Sequence, residues 1–299
     1  MPKSFTVDDD FNDSRLDKWF KLKVINLPHS LIEKIIRQNK IKVNKKKTKS
    51  SYRLQTGDLI EIYDIAKFKP VDNKKIIKYL PKKKETEIYN EYIIEDNENF
   101  VVLNKPAGVP VQSGTKSFKN IIDILKNTKY FENSKPFIVH RLDKETSGVL
   151  IIAKNRKFAQ LFTTLFRIRK IHKTYLTVVY GKVSKSIKTM KDNLIFHENN
   201  KKITQKAITN LKIIRANDSY SLLELNPITG RKHQLRRQLL NIGTPIVGDD
   251  KYFLNNRKKV KIKSLLLHAY KIKFMINNVQ YTFKAKYNNI FEEFIRKNI

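Results

Sequence analysis

The sequence predicts an α+β protein in two parts. A small N-terminal domain of two helices and a short sheet precedes a larger domain, whose mixed, largely antiparallel sheet is flanked by helices. Three observations support this. Residues 14–63 pass from two apolar-striped helical segments into short alternating strands. From Tyr92 onward, apolar strand-like runs recur between turn residues, interleaved with a few amphipathic helical segments. Nothing in the chain reads as an internal repeat, a P-loop or a GxGxxG turn, which argues against a doubly wound nucleotide-binding fold. With 299 residues, 40% of them hydrophobic, the chain is long enough for one large core and one small one.

In order, residues 1–13 read as an acidic tail. SRLDKWFKLK (14–23) puts Leu16, Trp19 and Phe20 on one helical face. PHSLIEKIIRQNK (28–40) places Ser30 and Glu33 at capping-box spacing, with Leu31, Ile32, Ile35 and Ile36 as the apolar stripe. IKVNKKKTKSSYRLQTGDLIEIY (41–63) alternates as short strands, with turns at 44–47 and 56–58. Residues 64–88 hold Pro70, Pro81 and many lysines with little periodicity, and read as a linker; 89–299 form the second domain. There, two strands flank the turn EDNEN, and SFKNIIDILKN is a helix. FIVHRLDKETSGVLIIAK is strand, loop, strand. KFAQLFTTLFRIRK is a helix with Phe158, Leu161, Phe162, Leu165 and Phe166 inward. HKTYLTVVYGKV and residues 207–230 are strand-rich, RKHQLRRQLLNIG is a helix stopped by Gly243, and LLLHAYKIKF and YTFKAK are final strands.

Charge narrows the function. Sixty-two Lys and Arg against 28 acidic residues give +34, a field that draws polyanions, with nucleic acid ahead of an anionic membrane surface. Richness in Lys, Asn and Ile together also fits A/T-biased codon usage. Zero cysteines exclude disulfides, thiolate zinc sites and thiol nucleophiles, and the six scattered His residues give no metal-ligand spacing. The N-terminus lacks a signal-peptide core, and no apolar run approaches the roughly 20 residues needed to span a bilayer. A cytoplasmic, monomeric protein without metal or cofactor is expected. Lys34, Arg37, Lys40, Lys42, Lys45, Lys46 and Lys47 cluster on a helix edge and the adjacent turn, as a surface that tracks phosphates or simply a solvated face.

Four constellations hold the chemistry: HRLDKETSG (140–148), HKTYLTVVYG (172–181), TGRKHQLR (229–236) and LLLHAY (265–270). Asp143, a carboxylate among cations, is kept ionised and able to act as nucleophile or base, and attack at an anomeric carbon is one such use. The plainer reading is that it caps the next turn or pairs with Arg141. Tyr175 is a core strand residue or a platform for a base. Arg231 is an exposed arginine or a bidentate partner for Asp143. His233 and Gln234 read as organisers of backbone hydrogen bonds, and Leu267 as core that can also wall a base pocket.

SRLDKWF, SLIEKIIRQNKIKVNKKK and LQTGDLIEI resemble an S4 (αL-like) RNA-binding domain. HRLDKETSG, the KTY segment and GRKHQLR in this order, with NKPAGVPVQSG, PIVGDDKY and LLLHAYKIKF, resemble the RluA-type pseudouridine synthases. Members of that family with an S4 domain in front modify bacterial large-subunit ribosomal RNA. The resemblance implies that Asp143 is the catalytic aspartate and that Arg141 enters the RNA stack in place of a flipped uridine. It implies that Tyr175 stacks on the target base, Arg231 pairs with Asp143, and Leu267 or a neighbour lines the pocket. The expected partner is ribosomal RNA or an assembly intermediate, and no cofactor is needed. One departure is visible: Phe253 follows Tyr252 where the family's GDxxYG element has Gly, in a loop that reads as peripheral. The rivals are a non-catalytic RNA-binding or ribosome-assembly factor, and a nucleic-acid N-glycosylase that would release free uracil.

Overall fold

The computed structural model describes residues 2–64, 66, 79–113, 119–198, 201–254 and 259–299. The chain divides into two compact units, Met1–Ile77 and Lys78–Ile299.

In the first unit, helices α1 (Leu16–Lys23) and α2 (His29–Arg37) lie with an antiparallel sheet of order β1-β4-β2-β3, formed by Lys3–Thr6, Leu59–Ile62, Ile41–Val43 and Lys46–Lys47. Leu16, Trp19, Phe20, Ile32, Ile35 and Ile36 bury their stripes with Ile41, Ile60 and Ile62, as the helical periodicity requires. The turn at 44–47 is a tight hairpin, because Asn44 and Lys45 both take positive φ (51° and 63°), the backbone that a twisted two-residue connection demands. Two expectations fail here. The expected tail 1–13 is no tail over its described residues 2–13: β1 pairs with β4, and Val7 and Phe11 join the core. Ser30 and Glu33 form no capping box either, since α2 starts one residue before Ser30 and Glu33 instead accepts a bond from Ser50 Oγ.

The second unit is built on one mixed sheet of order β10-β11-β12-β9-β13-β8-β6-β5, with β14 beside β13 and β7 beside β8. These strands are β5 (Ile93–Asp96), β6 (Phe100–Lys105), β7 (Phe137–Ile138), β8 (Ser147–Ala153), β9 (His172–Tyr180), β10 (Thr189–Glu198), β11 (Lys201–Ala216), β12 (Tyr220–Pro227), β13 (Leu267–Ile276) and β14 (Val279–Lys284). All described pairings are antiparallel except β13 with β8. β8 is buried along its whole length, as a centre strand covered on both faces must be. Its helices are α3 (Lys83–Asn90), α4 (Ile121–Leu125), α5 (Arg156–Arg167), α6 (Gln234–Asn241) and α7 (Asn289–Asn298). On α5, Asn155 caps the N-terminus by accepting from Phe158 N, and the five expected apolar residues face the Phe100–Phe274 cluster.

The segment 64–88 is not a linker throughout. Residues 65 and 67–78 of that expectation lie outside the described set, as do 117–118 of the expected SFKNIIDILKN helix and Gly114 of NKPAGVPVQSG. From Lys83, however, the chain is helical, with Glu85 tied to Tyr79 and Lys119 and Tyr89 buried. Among the described residues, no helix is long and apolar enough to cross a membrane.

Candidate active site

Asp143 lies on the loop between β7 and β8, and that loop is fixed from three sides. The fully buried Lys105 ammonium donates to the carbonyls of Pro106 (2.8 Å), Val109 (2.9 Å) and Lys144 (3.0 Å), binding the NKPAGV turn to the residue after Asp143. Burial pushes the Lys105 pKa down to about 7, against the nearby Glu145 and Asp143 charges, while three carbonyl acceptors use all three protons of the charged form. Leu142 plugs the core beside Val111 and Ile121. Upstream, His140 Nε2 accepts from Ile151 N at 2.8 Å, which keeps the ring neutral; burial, aided by the Lys173 charge, holds its pKa down at about 3. The turn that follows is closed by the Asp143 carbonyl, which accepts from Thr146 N, and not by its carboxylate.

The TSG glycine has a steric cause. β13 runs parallel to β8 at His268–Ser147 and Ala269–Gly148. Gly148 has φ +112°, and a Cβ there would stand 2.2 Å from the Ala269 carbonyl oxygen. His268, fully buried, completes this junction: its Nε2–H donates to the Ala285 carbonyl, leaving Nδ1 to accept from Ser147 Oγ at 2.8 Å.

The Asp143 carboxylate opens into a cavity of about 760 Å³ whose walls include Arg141, Lys173, Tyr175, Arg231, His233, Arg236 and Leu267. All four sequence constellations therefore meet. Among the described lining residues, Asp143 is the single carboxylate against seven Lys or Arg side chains. Tyr175 stands on β9 between two core clusters with its ring on the cavity wall; burial and the Asp143 charge raise its pKa, so its hydroxyl stays protonated. Arg141 is exposed at the rim, where the main cavity meets a smaller one lined by Pro110, Val111 and Gln112.

Arg231 does not pair with Asp143. Its Nε donates to the Lys206 carbonyl at 3.2 Å and its backbone N–H to Gln234 Oε1 at 3.0 Å. The guanidinium that approaches Asp143 belongs to Arg236, five residues later: Nη1 is 4.0 Å from Oδ2. Arg231 precedes α6, whereas Arg236 lies in its first turn and His233 is its N-cap residue; both approach Asp143. Arg236 is itself held by a bidentate pair with Asp249, both bonds 2.7 Å. Burial opposes the guanidinium charge, but the Asp249 pair, together with the Asp143 charge and Tyr252, outweighs it and raises the Arg236 pKa.

His233 is also more than a backbone organiser. Its backbone is left-handed (φ 53°), its Nε2 lies 3.7 Å from Asp143 Oδ1, and its Nδ1 is 2.9 Å from the Tyr252 hydroxyl. Burial lowers its pKa despite the Asp143 charge, so the ring is neutral near pH 7. With Tyr252 donating to Nδ1, the remaining proton is on Nε2 and faces Asp143. Tyr252 further stacks under the Arg236 guanidinium at 5.0 Å. The loop read as peripheral is thus part of the site's support, and Tyr252 and Asp249 are residues that sequence reasoning missed. Phe253 fills the position after Tyr252 by packing edge-on against Tyr180. Gln234 does organise hydrogen bonds, to Thr229, Ile208 and Thr209.

In the first unit, Lys34, Arg37, Lys45, Lys46 and Lys47 are exposed as expected. Lys40 is paired with Asp64, and Lys42 lies over the Tyr63 ring at 5.1 Å.

One carboxylate, loosely held by an arginine and a neutral imidazole inside a cationic cavity floored by a tyrosine, fits a reaction at the sugar of an RNA nucleotide. Comparison with known proteins agrees. The model of the RNA pseudouridylate synthase family matches residues 99–241, and the S4 domain model matches 14–60. The chain belongs to the RNA pseudouridylate synthase family and is an isomerase acting on RNA. Among its relatives, ribosomal large subunit pseudouridine synthase C of Rickettsia felis is 38% identical over 272 residues, covering 86% of this chain and 87% of that one. The Buchnera aphidicola subsp. Baizongia pistaciae protein of the same name is 35% identical, covering 87% and 85%. The solved structure of human RNA pseudouridylate synthase domain containing 4 superposes with a TM-score of 0.62 at 26% identity, covering 71% of this chain and 94% of that one.

Proposed function

We propose that the chain converts uridine to pseudouridine in large-subunit ribosomal RNA, with Asp143 as the acting carboxylate. The observation that carries this is Asp143 as the lone acid among the described lining residues of a cationic cavity, beside Tyr175. A uridine inside folded RNA reaches such a cavity only when flipped out, at a few kcal/mol, which favours loops over duplexes. Tyr175 stacks on the extruded base, Arg141 fills the gap left in the RNA stack, Leu267 walls the base, and Arg231 at the rim holds a flanking phosphate.

Asp143 then cleaves the N-glycosidic bond, by attack at C1′ or by taking the C2′ proton; the ring turns, rejoins through C5, and the C5 proton leaves. Atoms balance without a co-reactant. Arg236 and His233 stand far enough from the carboxylate to orient it without locking it. Residues 14–63 supply an RNA-binding module through Lys34, Arg37 and Lys45–Lys47, with Lys40 and Lys42 at its edge. The large-subunit assignment follows the names of the relatives. Mapping pseudouridines in ribosomal RNA from cells with and without this protein tests it. Loss of one or more large-subunit positions is expected; an unchanged large-subunit map, or loss confined to other RNAs, overturns the assignment.

A further inference from the structure

We propose that Lys173 is a catalytic residue that stabilises the uracil ring as it departs from the ribose as an anion, an assignment that rests on the reading of this cavity given above. Lys173 precedes Tyr175 by two positions on β9, so the strand's two-residue period sends both side chains to the same face, and both line the cavity. Gly230 lies beside it: a Cβ there would meet the Lys173 ammonium at 3.7 Å, an ordinary van der Waals contact. Among the described residues, no carboxylate pairs with that ammonium. Its pKa is lowered by burial alone, with no counter-ion acting on it. A half-buried cation left without an anion, in a cavity whose single carboxylate among the described lining residues is Asp143, is a site prepared for negative charge that arrives with the substrate. The two charges act on different neighbours: Lys173 on His140, Asp143 on Tyr175 and Lys105. A base stacked on Tyr175 with its glycosidic side toward Asp143 offers its carbonyl edge to Lys173.

The chemistry needs that charge on either route. When an Asp143 oxygen bonds to C1′, the C1′–N1 bond breaks and its electron pair leaves with the ring. When Asp143 instead takes the C2′ proton, a C1′=C2′ double bond forms and the same electron pair leaves with the ring. Either way uracil becomes an anion, its charge shared over N1, O2 and O4, and the ammonium holds it without transferring a proton. On rejoining, C5 bonds to C1′, displacing the Asp143 oxygen or following return of the C2′ proton; C5 loses a proton and N1 gains one.

The test is single-turnover tritium release from ribosomal RNA labelled at uracil C5, at saturating protein, with RNA affinity measured separately by filter binding. Lys173→Met is expected to slow release about 10²-fold, the scale of losing one oxyanion donor, with RNA affinity within about threefold of wild type. Lys173→Arg, which keeps the charge, is expected to recover most of the rate. Wild-type release falls at alkaline pH as the ammonium deprotonates, below the ordinary lysine range, and in Lys173→Arg this fall moves to higher pH. His140, Tyr175, Asp143, Arg169 and Arg231, which share the cavity, are unchanged in both variants. A Lys173→Met rate within threefold of wild type overturns the proposal, as does a defect lying wholly in affinity, which would make Lys173 a phosphate holder. Should Lys173→Met not fold, an alkaline limb unmoved in Lys173→Arg overturns it. Failure of the underlying reading is separable, because wild type itself then releases no tritium.

Discussion

Replacing Asp249 by Asn removes one charge and almost no volume, yet it addresses the buried pair that aims Arg236 at Asp143. Asp249 is fully buried and makes four bonds: two from the Arg236 guanidinium at 2.7 Å and one each from the amides of Lys251 and Tyr252 at 2.9 Å. Asparagine keeps the oxygen that serves the two amides, but its amide nitrogen then faces Arg236 Nε–H, donor against donor. The guanidinium, 8% exposed, loses its counter-ion where water cannot replace it. Removing one partner of a buried pair costs about 3–5 kcal/mol. For a domain of this size that lowers Tm by about 6–20 °C, read by calorimetry or circular dichroism. With the Asp249 pair broken, Arg236 no longer holds the position from which it orients Asp143, so the rate falls as well. The double variant Arg236→Met with Asp249→Asn removes the orphaned charge; it should regain most of the stability and none of the rate, a non-additive cycle. A Tm loss below about 3 °C for Asp249→Asn, or additive single and double variants, would refute this account of the pair.

Three further outcomes are expected. Gly148→Ala should destabilise by at least about 2 kcal/mol in urea unfolding, since the added methyl meets the Ala269 carbonyl at 2.2 Å and φ is +112°; a neutral result contradicts the close β8–β13 approach. Tyr252→Phe keeps the ring under Arg236 but leaves His233 Nδ1 without its donor. Its tritium-release rate should drop about 10-fold with RNA affinity unchanged, and an unaltered rate dismisses the Tyr252–His233–Asp143 chain. His140 is neutral in the fold down to about pH 3 but protonates near pH 6.5 when unfolded, so the unfolded state binds the extra proton in that window. Stability present above pH 6.5 is therefore lost as pH falls, by about 3 kcal/mol at pH 4.5, and His140→Gln should flatten that slope in Tm-against-pH curves.

How far the sequence revealed the site depends on whether the information is local. Asp143, Tyr175 and Leu267 were legible because each sits in a short run whose turn or strand chemistry is self-contained, and these runs converge on one cavity. The arginine beside Asp143 was misread, since GRKHQLR offers two arginines and bidentate chemistry suits either; only the fold separates them, by starting α6 after His233 and so placing Arg236, not Arg231, on the helix. Asp249 and Tyr252 act from a loop 13 and 19 residues beyond their partners Arg236 and His233, a contact no local pattern encodes. β10 and α7 did carry a signal that went unread: Met190, Leu194 and Phe196 keep a two-residue period, and Phe291, Phe294 and Ile295 a helical one. α3 had little to show, since its eight residues KKETEIYN bury only Tyr89.

The most direct measurement is tritium release from uracil-C5-labelled ribosomal RNA by wild type and by Asp143→Asn, with RNA affinity determined for both. Release by wild type, none by the variant and equal affinity are predicted. Comparable release by both, or none by either on naked RNA and on assembly intermediates alike, would contradict a reaction driven by Asp143.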